Sequence, residues 1–118
     1  MLQASAQGTS TMNVTVTNNT FHNAHADITP GGGGITISGG ENPSNYTLTY
    51  NISSNSFRGA EGSAITVSTI GQSGTVSGVI ANNTIGVNDA GQPQASTAQA
   101  TTGASQNGNG IQVLVEKF

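Results

Sequence analysis

Apolar and polar residues alternate in three short runs along this chain. The first is Met12-Asn13-Val14-Thr15-Val16-Thr17, the second Leu48-Thr49-Tyr50-Asn51-Ile52-Ser53, and the third Val76-Ser77-Gly78-Val79-Ile80-Ala81. A period of two predicts strands with one buried face. Met12, Val14 and Val16 then point inward, as do Leu48, Tyr50, Ile52 and Val76, Gly78, Ile80. The alternate positions are small and mostly polar and are expected to face solvent. Each run ends on the same phrase: Asn18-Asn19-Thr20-Phe21, then Ser54-Asn55-Ser56-Phe57, then Asn82-Asn83-Thr84-Ile85.

A second phrase follows each of the first. Gly32-Gly33-Gly34-Ile35-Thr36-Ile37 matches Gly62-Ser63-Ala64-Ile65-Thr66-Val67 and Gly108-Asn109-Gly110-Ile111-Gln112-Val113. Each predicts a glycine-led turn into a strand with Ile or Val inward and Thr or Gln outward. The two phrases alternate three times. Their spacing is uneven, since Asn19 and Asn55 are 36 residues apart but Asn55 and Asn83 only 28. Similar strands at variable spacing place the insertions in loops while the strands stay stacked. A β-sandwich also has short strands and turns, but nothing in it requires every second strand to repeat one phrase with an Asn at a fixed place. A helical reading fails, because Gly, Asn, Thr and Val dominate and no 3.6-residue stripe exists. The pattern fits a solenoid in which each turn of chain lies on the one below.

These phrases, at 19–21, 55–57 and 83–85 and at 32–37, 62–67 and 108–113, resemble the right-handed parallel β-helix repeat of pectate-lyase-like proteins, autotransporter passengers and bacterial surface adhesins. The resemblance covers roughly residues 12–115. It implies an all-β fold, a right-handed parallel β-helix of about three coils, with residues 1–118 as a single segment of a longer solenoid or a stacking unit. That family includes enzymes, adhesins and fibres, so fold does not fix function.

In such a coil, equivalent residues stand about 4.8 Å apart and stack into ladders. Phe21, Phe57 and Ile85 form one apolar ladder in this reading, and Ile35, Ile65 and Ile111 another. Asn19, Asn55 and Asn83 have two candidate roles. Their amides can pass hydrogen bonds from coil to coil, or Asn can supply the left-handed backbone that bends the chain between strands. The connections differ by level, and the longest, within 86–107, is rich in Ala, Gln, Gly, Ser and Thr. Its composition predicts a loosely packed excursion rather than a defined site.

Composition narrows the functional classes. Of 118 residues only two are Lys or Arg and five Asp or Glu, giving a net charge of −3. A basic footprint for nucleic acid is therefore missing. Disorder normally pairs low hydrophobicity with high net charge, whereas this chain holds 33% hydrophobic residues in β-branched runs. The sequence has no Cys, which excludes disulfides and thiolate metal sites. No stretch approaches the ~20 apolar residues of a membrane-spanning helix, and residues 1–12 lack the pattern of a signal peptide.

Candidate chemistry is sparse. Asp27, Glu41, Glu61, Asp89 and Glu116 lie at different places in the repeat, with Arg58 and Lys117 the only fixed cations. No pair is arranged for acid–base work on a polysaccharide. His22 and His25 are spaced for metal binding only if a turn aligns them with Asp27, and two exposed imidazoles are the simpler reading. The run Gly31–Gly34 lacks the following helix and Lys of a phosphate loop, so it reads as a corner. Sequons begin at Asn13, Asn18, Asn45, Asn51 and Asn82, little above chance for so much Asn, Ser and Thr. The outward Thr, Ser and Asn rows could meet a glycan, but Val79 and Ala81 interrupt them, which also argues against an ice-binding array.

The expectation is a structural or adhesive module of an extracellular or cell-surface bacterial protein, a stalk, adhesin or filament subunit. Its partners are copies of itself or neighbouring coils, with a glycan possible and no nucleic acid or membrane insertion. No catalytic residue, metal or cofactor is expected. The alternatives are a non-catalytic segment of a carbohydrate-active β-helix enzyme and a weak glycan-binding module.

Overall fold

The computed structural model describes residues 2–22, 34–40, 45–58, 63–70, 74–85 and 110–116. All secondary structure among them is β. The strands recur in threes: β1 (Leu2–Ala6), β2 (Thr11–Thr17) and β3 (Thr20–His22), then β4 (Ile35–Gly39), β5 (Thr47–Ser53) and β6 (Ser56–Arg58). A third set follows, β7 (Ile65–Ile70), β8 (Thr75–Ala81) and β9 (Thr84–Ile85), and β10 (Ile111–Glu116) begins a fourth.

Like strands pair with like. One sheet runs β1-β4-β7-β10, a second β2-β5-β8 and a third β3-β6-β9. Every pairing is parallel. Parallel neighbours need a long connection between them. Here the two other strands of each set lie within that connection, so the chain visits the three sheets in turn. The register brings Met12, Leu48 and Val76 side by side, then Val14, Tyr50 and Gly78, then Val16, Ile52 and Ile80.

The inward residues of all three sheets meet in one core. Ile35, Ile37, Ile65 and Val67 come from the first sheet, Val16, Leu48 and Ile52 from the second, and Phe57 from the third. Burial is deepest in the middle set. Leu48 and Ile52 are fully buried, whereas Met12 and Val14 below and Val76 and Ile80 above are only half-buried. A stacked residue is covered by the neighbour on either side, and the outer sets lack one neighbour among the described residues.

Strand β1 extends the first sheet below the region where the sequence phrases begin. Leu2, Gln3 and Ala4 pair with Ile35, Thr36 and Ile37. Its inward positions are Leu2, Ala4 and Ala6, and two alanines give too faint an alternation to mark a strand.

Tyrosine and glycine share volume across levels. The Tyr46 ring, 3% exposed, lies against Gly39 and Gly74. A Cβ at Gly39 would come 2.5 Å from its Cε2, and one at Gly74 would also collide with the ring. Tyr50 likewise covers Gly78, the glycine that follows it in its ladder. The missing side chain at Gly78 is therefore filled from below.

The corner between the second and third sheets is two residues long at each level. Its first residue is left-handed every time: Asn18 at φ 58°, Ser54 at 57° and Asn82 at 55°. Asn tolerates that region and Ser does so less well.

Three substitutions test this packing. Ser54→Asn, which copies the other two corners, should stabilise the chain by about 0.5–1 kcal/mol, seen as a rise in Tm; a fall would contradict the corner assignment. Gly74→Ala should destabilise by about 1–3 kcal/mol through overpacking against Tyr46. Gly110→Ala, whose Cβ would meet only Ile85 at 3.7 Å, should leave the denaturation midpoint nearly unchanged.

Candidate functional site

Behind each left-handed corner residue stands an asparagine that faces its counterpart at the neighbouring level. Asn55 Oδ1 accepts from the Asn19 backbone N–H at 3.0 Å and from Asn19 Nδ2 at 3.2 Å. Asn83 Oδ1 accepts from the Asn55 N–H at 2.9 Å and from Asn55 Nδ2 at 3.0 Å. The other amide hydrogen of each reaches the strand below, Asn55 Nδ2 to the Val16 carbonyl at 2.9 Å and Asn83 Nδ2 to the Ile52 carbonyl at 2.8 Å. At the lowest level Asn19 Nδ2 turns instead to the Thr17 carbonyl at 2.9 Å. Asn55 is 1% exposed, and a buried amide is tolerated only when its donors and acceptor are used.

The two roles open to these asparagines in the sequence are divided between neighbours. The ladder belongs to Asn19, Asn55 and Asn83, and the left-handed bend to the residues before them. The difference has a chemical cause. A bend needs only a tolerant backbone, so Ser54 serves, whereas the ladder needs a donor and an acceptor on one side chain at every level.

Apolar ladders flank the amides. Phe21, Phe57 and Ile85 are in register, and the Phe21 and Phe57 rings stack with centroids 4.9 Å apart and planes within 6°. Ile35, Ile65 and Ile111 are in register in the first sheet. Ile35 and Ile65 are fully buried, while Ile111 is 46% exposed.

The ladder is polar along its length. Each Oδ1 faces down and takes the two donors of the level beneath. Among the described residues, the Asn19 Oδ1 at the bottom receives no hydrogen bond and the Asn83 N–H at the top donates none. The same end carries an open cavity of about 690 Å³ walled by Tyr46, Tyr50, Val67, Val76, Val113 and Val115, among others. Tyr46 was not singled out by the sequence pattern. The signal for it is the pair of glycines, Gly39 and Gly74, that leave room for its ring.

Asp27, Glu41, Glu61, Asp89, His25, the run at 31–33 and the long connection within 86–107 lie outside the described residues, as do the side chains of His22 and Arg58. Glu116 is exposed on β10. Among the described residues no group of three His, Cys, Asp or Glu could hold a metal ion, and no helix is long and apolar enough to cross a membrane.

Asn55→Ala should cost about 3 kcal/mol or more, because Asn19 and Asn83 and the Val16 carbonyl lose buried partners together. Thr49→Ala, which removes only an exposed side-chain bond to Asn13, should cost about 0.5 kcal/mol or less. Paired thermal melts check this, and equal midpoints would contradict a ladder that works as a set.

No family model, no curated protein and no solved structure matches the chain.

Proposed function

We propose that the chain is a right-handed parallel β-helix segment of about three coils, serving as a structural or adhesive module of an extracellular or cell-surface bacterial protein. In this reading it acts as a stalk, adhesin or filament subunit. Right-handedness follows from the strong preference of parallel crossovers for that hand. The observation that carries the reading is the interleaving of three parallel sheets around one core, with equivalent residues stacked at every level. A body built this way grows along one axis by repetition, as a spacer or fibre must.

What the coil presents to solvent suits contact better than chemistry. Asn13, Thr15, Asn51, Thr75 and Ser77 make an exposed polar surface on the second sheet. The tyrosines do not serve it as sugar platforms, since Tyr46 is buried and Tyr50 packs against the core. Glycan binding by this face therefore rests on short hydroxyl and amide side chains alone. The open upper end is the other notable surface. It exposes Ile111, Val113, Leu114 and Val115 on β10, an apolar strand edge of the kind that invites pairing.

Sedimentation across a wide concentration range tests the structural reading. Reversible, concentration-dependent association, or fibres in electron micrographs, is the expected outcome. A strictly monomeric species at the highest concentration, together with turnover of pectin or alginate, would replace it with the carbohydrate-active alternative.

A further inference from the structure

At the upper end one third of a fourth level is already built. β10 lies beside β7 in the first sheet, whereas β8 and β9 are the last strands of their sheets among the described residues. β10 is exposed along its whole length, and the cavity of about 690 Å³ opens between it and β8. The lower end is the converse. There β1, β2 and β3 are the first strands of the three sheets among the described residues, with Leu2, Met12, Val14 and Phe21 only partly covered.

The two ends match in register and in hydrogen bonding. Strand β2 placed on β8 sets Met12 over Val76, Val14 over Gly78 and Val16 over Ile80, the same alternation that joins β2 to β5 and β5 to β8. Strand β3 placed on β9 sets Phe21 over Ile85. The downward Asn19 Oδ1 then meets the Asn83 N–H, repeating the two contacts already formed below. One obstacle stands in the way. The place in the first sheet that β1 of the upper molecule would need is the one β10 of the lower molecule already fills.

Resting on the reading of this chain as a stacking segment, we propose that a second copy docks head-to-tail by strand exchange. Strands β2 and β3 of the upper copy pair with β8 and β9 of the lower one, and β10 of the lower copy replaces β1 of the upper copy beside its β4. Both strands use the same register on their neighbours, Leu2 on Ile35 and Ile111 on Ile65. The inward residues differ: Leu2, Ala4 and Ala6 in β1, but Ile111, Val113 and Val115 in β10. Larger apolar side chains make β10 the better partner for Ile35 and Ile37 of β4. The exchange also covers β10, which lies bare in the single chain. Such a contact is heterologous, so each added copy presents a fresh upper end and the assembly extends as a filament.

Cysteine cross-linking of the full chain tests this, since the sequence has no native Cys. In one chain the outward positions Thr36 and Gln112 are separated by Thr66 of β7. Exchange brings Thr36 of one copy beside Gln112 of another, at a strand spacing of about 4.8 Å that falls within disulfide range. Mixed Thr36→Cys and Gln112→Cys chains should give a cross-linked heterodimer on mild oxidation, and so should mixed Thr20→Cys and Thr84→Cys. A heterodimer from Gln3→Cys and Gln112→Cys instead would show β1 stacked on β10 without exchange and would overturn the proposal. Monomer from every mixture would overturn it as well. The double variant Thr36→Cys/Thr66→Cys separates this failure from failure of the underlying reading. An internal disulfide there keeps the stacked register intact even if no copies dock, and its absence would remove the coil itself.

Discussion

Everything in this structure depends on one constraint: a residue must tolerate its own kind about one strand spacing above and below it. In a sheet of antiparallel hairpins, a side chain meets whatever the returning strand provides. In these parallel sheets it meets the same position of the previous level. Apolar residues satisfy the constraint easily, as the stacked rings of Phe21 and Phe57 show. Charged residues do not, because a carboxylate or ammonium repeated at every level repels itself. Asparagine is the polar residue that fits best, since its amide donates upward and accepts from below. A chain under this constraint is expected to be poor in charge, and this one is, with seven charged residues in 118.

The same constraint explains which features could be read from sequence. The phrases around Asn19, Asn55 and Asn83 align because the register requires like residues at like positions, and the strand pairs place them side by side. The parallel all-β character follows from that alignment. What stayed hidden arises where levels compensate for one another. Tyr46 fills space left by Gly39 and Gly74, and Tyr50 fills the place above it left by Gly78. Neither is visible as a repeat, because a repeat search looks for sameness and these are exchanges of volume. Strand β1 leaves little trace in the sequence for a related reason: Ala4 and Ala6 keep the register while supplying little hydrophobic contrast. The division of labour between Asn18 and Asn19 was beyond the sequence too, since both are asparagines and only Ser54 at the middle level distinguishes the bend from the ladder.

The ends, rather than the sides, support the proposed structural role. The polar outward rows are short-chained and offer little that is specific. Among the described residues, the ends combine strand edges without a neighbour, half-covered apolar ladders and an amide ladder with a direction. Directional ends favour assembly in one orientation, which is what a stalk or filament requires. The scarcity of charge works in the same sense, because a net charge of −3 over 118 residues sets only a small electrostatic penalty against adding another level.

The stacking of like residues requires parallel strands, and nuclear Overhauser contacts in the full chain measure strand direction most directly. Contacts are expected between the Asn19 amide and the Asn55 side chain, and between the Asn55 amide and the Asn83 side chain. Ile35 should likewise contact Ile65, and Ile65 contact Ile111, with the offset between partners constant along each strand. An antiparallel pattern, in which partner numbers fall as residue numbers rise, would contradict parallel stacking.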